Sequence, residues 1–172
     1  MISFYPIKLR IMKPKLTHTT DSGNPSMMDV SGKVATRRVA RAQAIVNVGP
    51  EIVAMIKDQE IMTKKGPVFQ TAIIAGVMGA KHTPSLIPLC HPIGLEDCQV
   101  EINVVGDKIV IGTSAIITSK TGVEMEALTA ASVAALTIYD MCKAMSHHIV
   151  IEEIKLMEKT GGKKDFKRDA NG

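Results

Sequence analysis

Two alternating apolar runs, 99–105 and 108–117, are separated only by Gly106-Asp107, and no other feature restricts the fold so tightly. Alternation at period two marks strands with one buried face. A two-residue connection of this type makes them antiparallel neighbours. The strongest helical periodicity follows at once, over 122–145. There Met125, Leu128, Ser132, Ala135, Leu136 and Tyr139 read as one buried face. Thr121, with Glu124 three residues on, reads as a capping box at its start.

The remaining segments fall into place around this hairpin and helix. Residues 38–48 alternate as a strand, and Pro50 opens a short helix to Lys57. Gly66-Pro67 introduces a helix over 68–81, and 149–157 closes the chain as a strand. The order β-α-α-β-β-α-β predicts an α+β ferredoxin-like sandwich, an antiparallel sheet with helices packed on one face. The second face of such a sheet would carry many apolar strand positions, which predicts a homo-oligomer that covers it. Residues 1–25, polar and basic, read as a disordered N-terminal extension. Residues 26–172 read as one domain with a flexible basic loop near 159–168.

Composition narrows the function classes. Aromatics make up only 3% of the 172 residues, with 11 Met and no Trp, so the core is aliphatic and Ala-rich. The same scarcity removes the stacking platforms of a single-strand nucleic-acid binder. A formal charge of +4 suits an anionic partner. Three scattered cysteines form no disulfide framework and point to a reducing compartment, taken as cytoplasmic. No apolar run reaches membrane-spanning length. Cys90, His91, Cys98, Cys142, His147 and His148 show neither CxxC nor HxxxH spacing, so no metal site is expected.

Three places carry potential chemistry. In Ile87-Pro88-Leu89-Cys90-His91-Pro92-Ile93 a thiol and an imidazole lie side by side between prolines. The segment is either a stiff core crossing with a satisfied histidine or a wall of a site. Ser119-Lys120-Thr121-Gly122 lacks the glycine frame of a P-loop, and leaves either a weak anion attractor or a capped helix with an exposed lysine. Asp140 and Lys143 are helix neighbours: a surface ion pair, or a proton-transfer couple near a helix end whose dipole disfavours the anion. Glu126, at the other end of that helix, has no local explanation. Glu126 and Asp140 project within about 40° of each other but about 21 Å apart along the axis. One small substrate cannot reach both within one chain, so a site using both would draw on two subunits.

Longer segments carry a resemblance. Lys65-Gly66-Pro67-Val68-Phe69, Leu86 through Pro92, and Thr118 through Ala131 with Tyr139-Asp140-Met141-Cys142-Lys143-Ala144 resemble the MoaC family, the cyclic pyranopterin monophosphate synthases of molybdenum cofactor biosynthesis. The similarity extends from Met28-Asp29-Val30-Ser31 to Lys159-Thr160-Gly161-Gly162-Lys163. It implies a ferredoxin-like subunit in a hexamer, a trimer of dimers, with sites at subunit interfaces. It further implies conversion of a 3′,8-cyclised 7,8-dihydro-GTP into cyclic pyranopterin monophosphate and diphosphate, without metal or redox cofactor. By resemblance Asp140, as base or orienter, Lys143, as acid, and Lys65 are catalytic. Leu89, Cys90, His91, Met125 and Glu126 would bind substrate, with Arg38, Lys159 and Lys163 as anion contacts. Cys90 is expected to pack rather than to act as nucleophile. The competing reading is a non-catalytic purine-nucleotide binding or scaffold protein on the same fold, which would need the basic residues and His91 but not the Asp140–Lys143 pair.

Overall fold

The computed structural model describes residues 24–169. Nearly all of the expected extension, 1–23, lies outside them. Twelve-residue strand β1 (Thr36–Asn47) pairs antiparallel along its whole length with β5 (Lys108–Ser119), from Thr36 opposite Ser119 to Asn47 opposite Lys108. On the other side of β5 lies β4 (Asp97–Val105), joined to it by a turn at Gly106 with φ +58°. That left-handed conformation is readily available to glycine. β1 is flanked on its far side by β6 (Val150–Thr160), with register shifts between Arg41 and Ala42 and between Ile45 and Val46. A short β7 (Phe166–Lys167) completes the five-stranded antiparallel order β4-β5-β1-β6-β7.

Every second residue of the two central strands is buried: Ala40, Ala42, Ala44 and Val46 on β1, and Ile109, Ile111, Thr113, Ala115 and Ile117 on β5. Over this face lies α4 (Glu124–Cys142), with α2 (Val68–Lys81) packed beside it and against β4. Between β1 and α2 the chain makes one helical turn, α1 (Pro50–Val53), and a two-rung hairpin of β2 (Met62–Thr63) and β3 (Gly66–Pro67). After α2 comes a further turn, α3 (Thr83–Leu86), before the proline-bracketed connector. The architecture is thus mixed α and β, with an antiparallel sheet and both long helices on one face.

Close approach explains the abundance of small residues. Ala127, Ala130, Ala131, Ala134 and Ala135 are fully buried on α4, above the three alanines of β1. On α2, a Cβ at Gly79 would lie 2.7 Å from Val133 Cγ2, and one at Gly76 3.0 Å from Val100 Cγ2. The Thr113 hydroxyl, buried under the helix, donates to the Ala127 carbonyl at 2.8 Å and ties β5 to the start of α4.

Three sequence expectations need correction. The buried face of α4 is formed by Ala127, Ala130, Ala131, Ala134, Ala135 and Ile138, whereas Leu136 is 58% exposed and Met125 and Tyr139 are also exposed. A helix pressed by both a sheet and another helix buries a wide face of mostly small residues, with Ile138 and Met141 beside them, and leaves Met125, Leu136 and Tyr139 outside it. The capping box does not form. Val123 is the N-cap with no side-chain cap, so Glu124 begins the helix and its carboxylate turns to Lys159 at 2.9 Å. Finally, the basic loop read over 159–168 is shorter. Lys159 and Thr160 belong to β6, while Phe166 and Lys167 pair with Lys159 and Glu158. The Gly161 amide donates to Asp165 Oδ1 at 3.0 Å and closes the turn.

Candidate active site

The candidate residues gather at the two ends of α4. At its C-terminal end the Asp140 carboxylate is bridged by two ammonium groups. Lys143 Nζ donates to Oδ1 at 2.7 Å, and Lys65 Nζ donates to Oδ2 at 2.6 Å and to the Asp140 carbonyl at 3.2 Å. Helix geometry supplies the first pair, three residues apart. The second depends on the β2–β3 hairpin, whose Gly66 (φ +111°) lets the chain reverse beside Lys65. The two lysines hold the Asp140 carboxyl well below its ordinary range, at about 2, and Asp140 in turn raises Lys143. At neutral pH this is a carboxylate locked between cations, with Lys143 fully charged.

At the N-terminal end of α4 lies a cavity of about 560 Å³. Leu89, Cys90, His91, Met125, Glu126, Arg38, Lys159 and Lys163 all line it. The connector reaches it because Pro88 and Pro92 forbid regular structure there, and the chain crosses in front of the helix start. Glu126 is 3% exposed, and burial pushes its carboxyl above the ordinary value, with Glu124 adding to the shift. Burial also raises the Cys90 thiol, as does the Glu126 charge. The thiol therefore stays protonated at neutral pH, which suits packing rather than nucleophilic attack.

The cavity has a wall that the sequence did not indicate. Residues 28–33 run across it, with Met28, Val30 and Lys33 facing in. His91 Nε2 lies 2.8 Å from the Met28 carbonyl and must carry the proton there. Lys120 Nζ donates to the Ser31 carbonyl at 2.7 Å. The Lys120 that suggested an anion attractor is therefore a tie for this segment. Arg38 is also partly committed, since its Nε donates to the Ser119 carbonyl and its Nη2 to that of Lys120. It holds the turn before α4 in place besides lending charge to the cavity.

Other hollows carry less chemistry. A groove of about 990 Å³ between α1, α2 and the β4 edge has no cation in its lining. Its Glu60 carboxylate is taken up by the neighbouring Ile61 amide and by the amides of Phe69 and Gln70 at the start of α2. Among the described residues no three His, Cys, Asp or Glu side chains cluster to hold a metal, and no helix is long and apolar enough to cross a membrane.

A cation-bridged carboxylate, a cavity of about 560 Å³ rimmed by lysines and a helix joining them agree with relatedness across the whole domain. The MoaC family model matches residues 27–162. The chain belongs to the MoaC family. It is 46% identical over 153 residues to the cyclic pyranopterin monophosphate synthase of Xanthomonas oryzae pv. oryzae (strain MAFF 311018), covering 88% of this chain and 93% of that protein. It is 48% identical over 157 residues to molybdenum cofactor biosynthesis protein 1 of Drosophila melanogaster, covering 90% of this chain. It is also 51% identical over 154 residues to the molybdenum cofactor biosynthesis bifunctional protein of Synechocystis sp. (strain ATCC 27184 / PCC 6803 / Kazusa). The chain spans 27% of the Drosophila protein and 44% of the Synechocystis one.

Proposed function

We propose that this chain is a cyclic pyranopterin monophosphate synthase acting in molybdenum cofactor biosynthesis. It would convert 3′,8-cyclo-7,8-dihydro-GTP into cyclic pyranopterin monophosphate and diphosphate, in the cytoplasm and without a cofactor. The observation that carries the reading is the Lys65–Asp140–Lys143 cluster. Rearranging C–N bonds of a purine requires proton donors, and a lysine held charged by a carboxylate is one. With its carboxyl at about 2, Asp140 is a poor base and serves as the orienter. Lys143 is the acid, and Lys65 completes the positive frame. A scaffold or nucleotide-binding protein would need the basic residues of the cavity and His91 but not this cluster.

The cavity at the other helix end would take the nucleotide. Leu89, Cys90, His91 and Met125 form its wall, Glu126 faces the base or sugar, and Arg38, Lys159 and Lys163 take the phosphates. The ends of one α4 are too far apart for one substrate, which supports a site shared between subunits; the resemblance adds a ferredoxin-like subunit assembled as a hexamer, a trimer of dimers. Each site would then join the cavity of one protomer to the lysine cluster of its partner. Residues 26–172 would act as a single catalytic domain. Incubating the purified protein with the cyclised GTP intermediate should release diphosphate and form the pyranopterin. Tight binding without diphosphate release would favour the non-catalytic reading.

A further inference from the structure

Behind the nucleotide cavity lies a second pocket of about 160 Å³ that shares part of its lining. Arg38, Lys159, Lys163 and Lys164 line it, and Glu124 is the single carboxylate among the lining residues. Four cations around one acid exceed what an ion pair needs. The position of that acid is also unusual. α4 has no side-chain cap, and the Glu124 carboxylate folds back on its own amide at the helix start while Lys159 Nζ donates to it at 2.9 Å. It can lie there only because residue 122 is glycine, since a Cβ at that position would overlap Glu124 Oε2. The carboxylate thus occupies the place an incoming anion would take, over the first amide of the helix and against Lys159.

We propose that Glu124 is a built-in surrogate for the diphosphate portion of the substrate. It keeps Lys159 and the helix start neutralised in the empty site, is displaced when the phosphates arrive, and returns to expel diphosphate after it is cleaved. This rests on the function proposed above for the kind of anion, but not for the existence of the anion subsite. Positioning by competition has a distinctive consequence. Removing the carboxylate charge strengthens attraction for any anion, so the discriminating case keeps the charge in the chain and only clears its place. Eviction of the carboxylate should tighten anion binding, whereas breaking a merely structural ion pair that way would not.

The test is calorimetric titration of the full chain, in its native oligomer, with inorganic diphosphate. If the carboxylate fills the subsite about nine-tenths of the time, its removal tightens apparent affinity on the order of tenfold. Glu124→Gln should show this gain. So should Gly122→Ala, which leaves the glutamate in the chain but evicts its carboxylate, a flexible side-chain end being the only group that must move. Both variants should also release diphosphate more slowly in stopped-flow displacement. Weaker or unchanged binding in folded, normally assembled variants would overturn the proposal, as would wild-type protein that fails to bind diphosphate. Diphosphate binding with the expected gains, but no turnover of the cyclised nucleotide, would uphold the surrogate and count against the proposed reaction alone.

Discussion

Lys143 and Lys65 grip one carboxylate from two directions, yet only Lys143 is placed by helix geometry itself. Lys143→Ala should lower turnover by about 10²–10⁴-fold, the usual worth of a positioned proton donor, while size-exclusion chromatography shows unchanged assembly. Retained turnover would remove Lys143 from the chemistry. Asp140 stays ionised until the pH falls to about 2, so an acidic limb in the rate profile should not arise from it. Glu126 behaves in the opposite sense. Burial raises its carboxyl, so the folded protein keeps a proton that the unfolded chain has released between the ordinary value and the raised one. Stability attributable to Glu126 is therefore lost as pH climbs through that window, and the penalty is absent below the ordinary value. Glu126→Gln should raise Tm near pH 7 and leave it unchanged at about pH 4. An equal Tm at both would mean the carboxylate is solvated in the pocket.

At the scale of elements, α4 governs both stability and site. Its alanines let it settle on the sheet, and Gly79 lets α2 come within van der Waals reach of Val133. Gly79→Val should destabilise by about 1–3 kcal/mol through overpacking, measurable by urea unfolding, because Val133 and the helix backbone leave no room. A neutral result would mean that α2 slides without cost. The face of α4 was misread from sequence for a related reason. Periodicity weighs large apolar residues, so Leu136 and Tyr139 dominated the pattern, whereas burial here follows smallness. The same helix start defeated the capping-box reading. Thr121 and Glu124 have the right spacing, but the helix begins at Glu124 rather than two residues earlier, and a cation on β6 claims the carboxylate.

For the whole molecule, the central question is how two ends of one helix serve one substrate. If each site combines one protomer's cavity with its partner's lysine cluster, mixing Asp140→Ala chains with Glu126→Ala chains should restore part of the activity. Each variant alone should stay inactive. No recovery after subunit exchange would place each complete site within a single protomer. The half-exposed sheet face, with Val39, Ile45, Val110 and Ile116 between polar neighbours, is the surface that such an assembly has available.

Much of this protein follows from the order of its residues alone. Alternation and helical spacing are local consequences of which neighbours share a face, so both long helices, the central strands and the Gly106 turn were legible. Long matched segments also carried the family and the two groups of candidate residues. The lysine pair on Asp140 was half visible, because Lys143 is three residues away while Lys65 is seventy-five. Tertiary structure alone decided the rest. It placed residues 28–33 across the cavity, committed Lys120 and Arg38 to backbone carbonyls, and set the Glu124 carboxylate beside Lys159. Those contacts join positions dozens of residues apart. Their partners are chosen by how the sheet and α4 pack, and no periodicity within a segment encodes that.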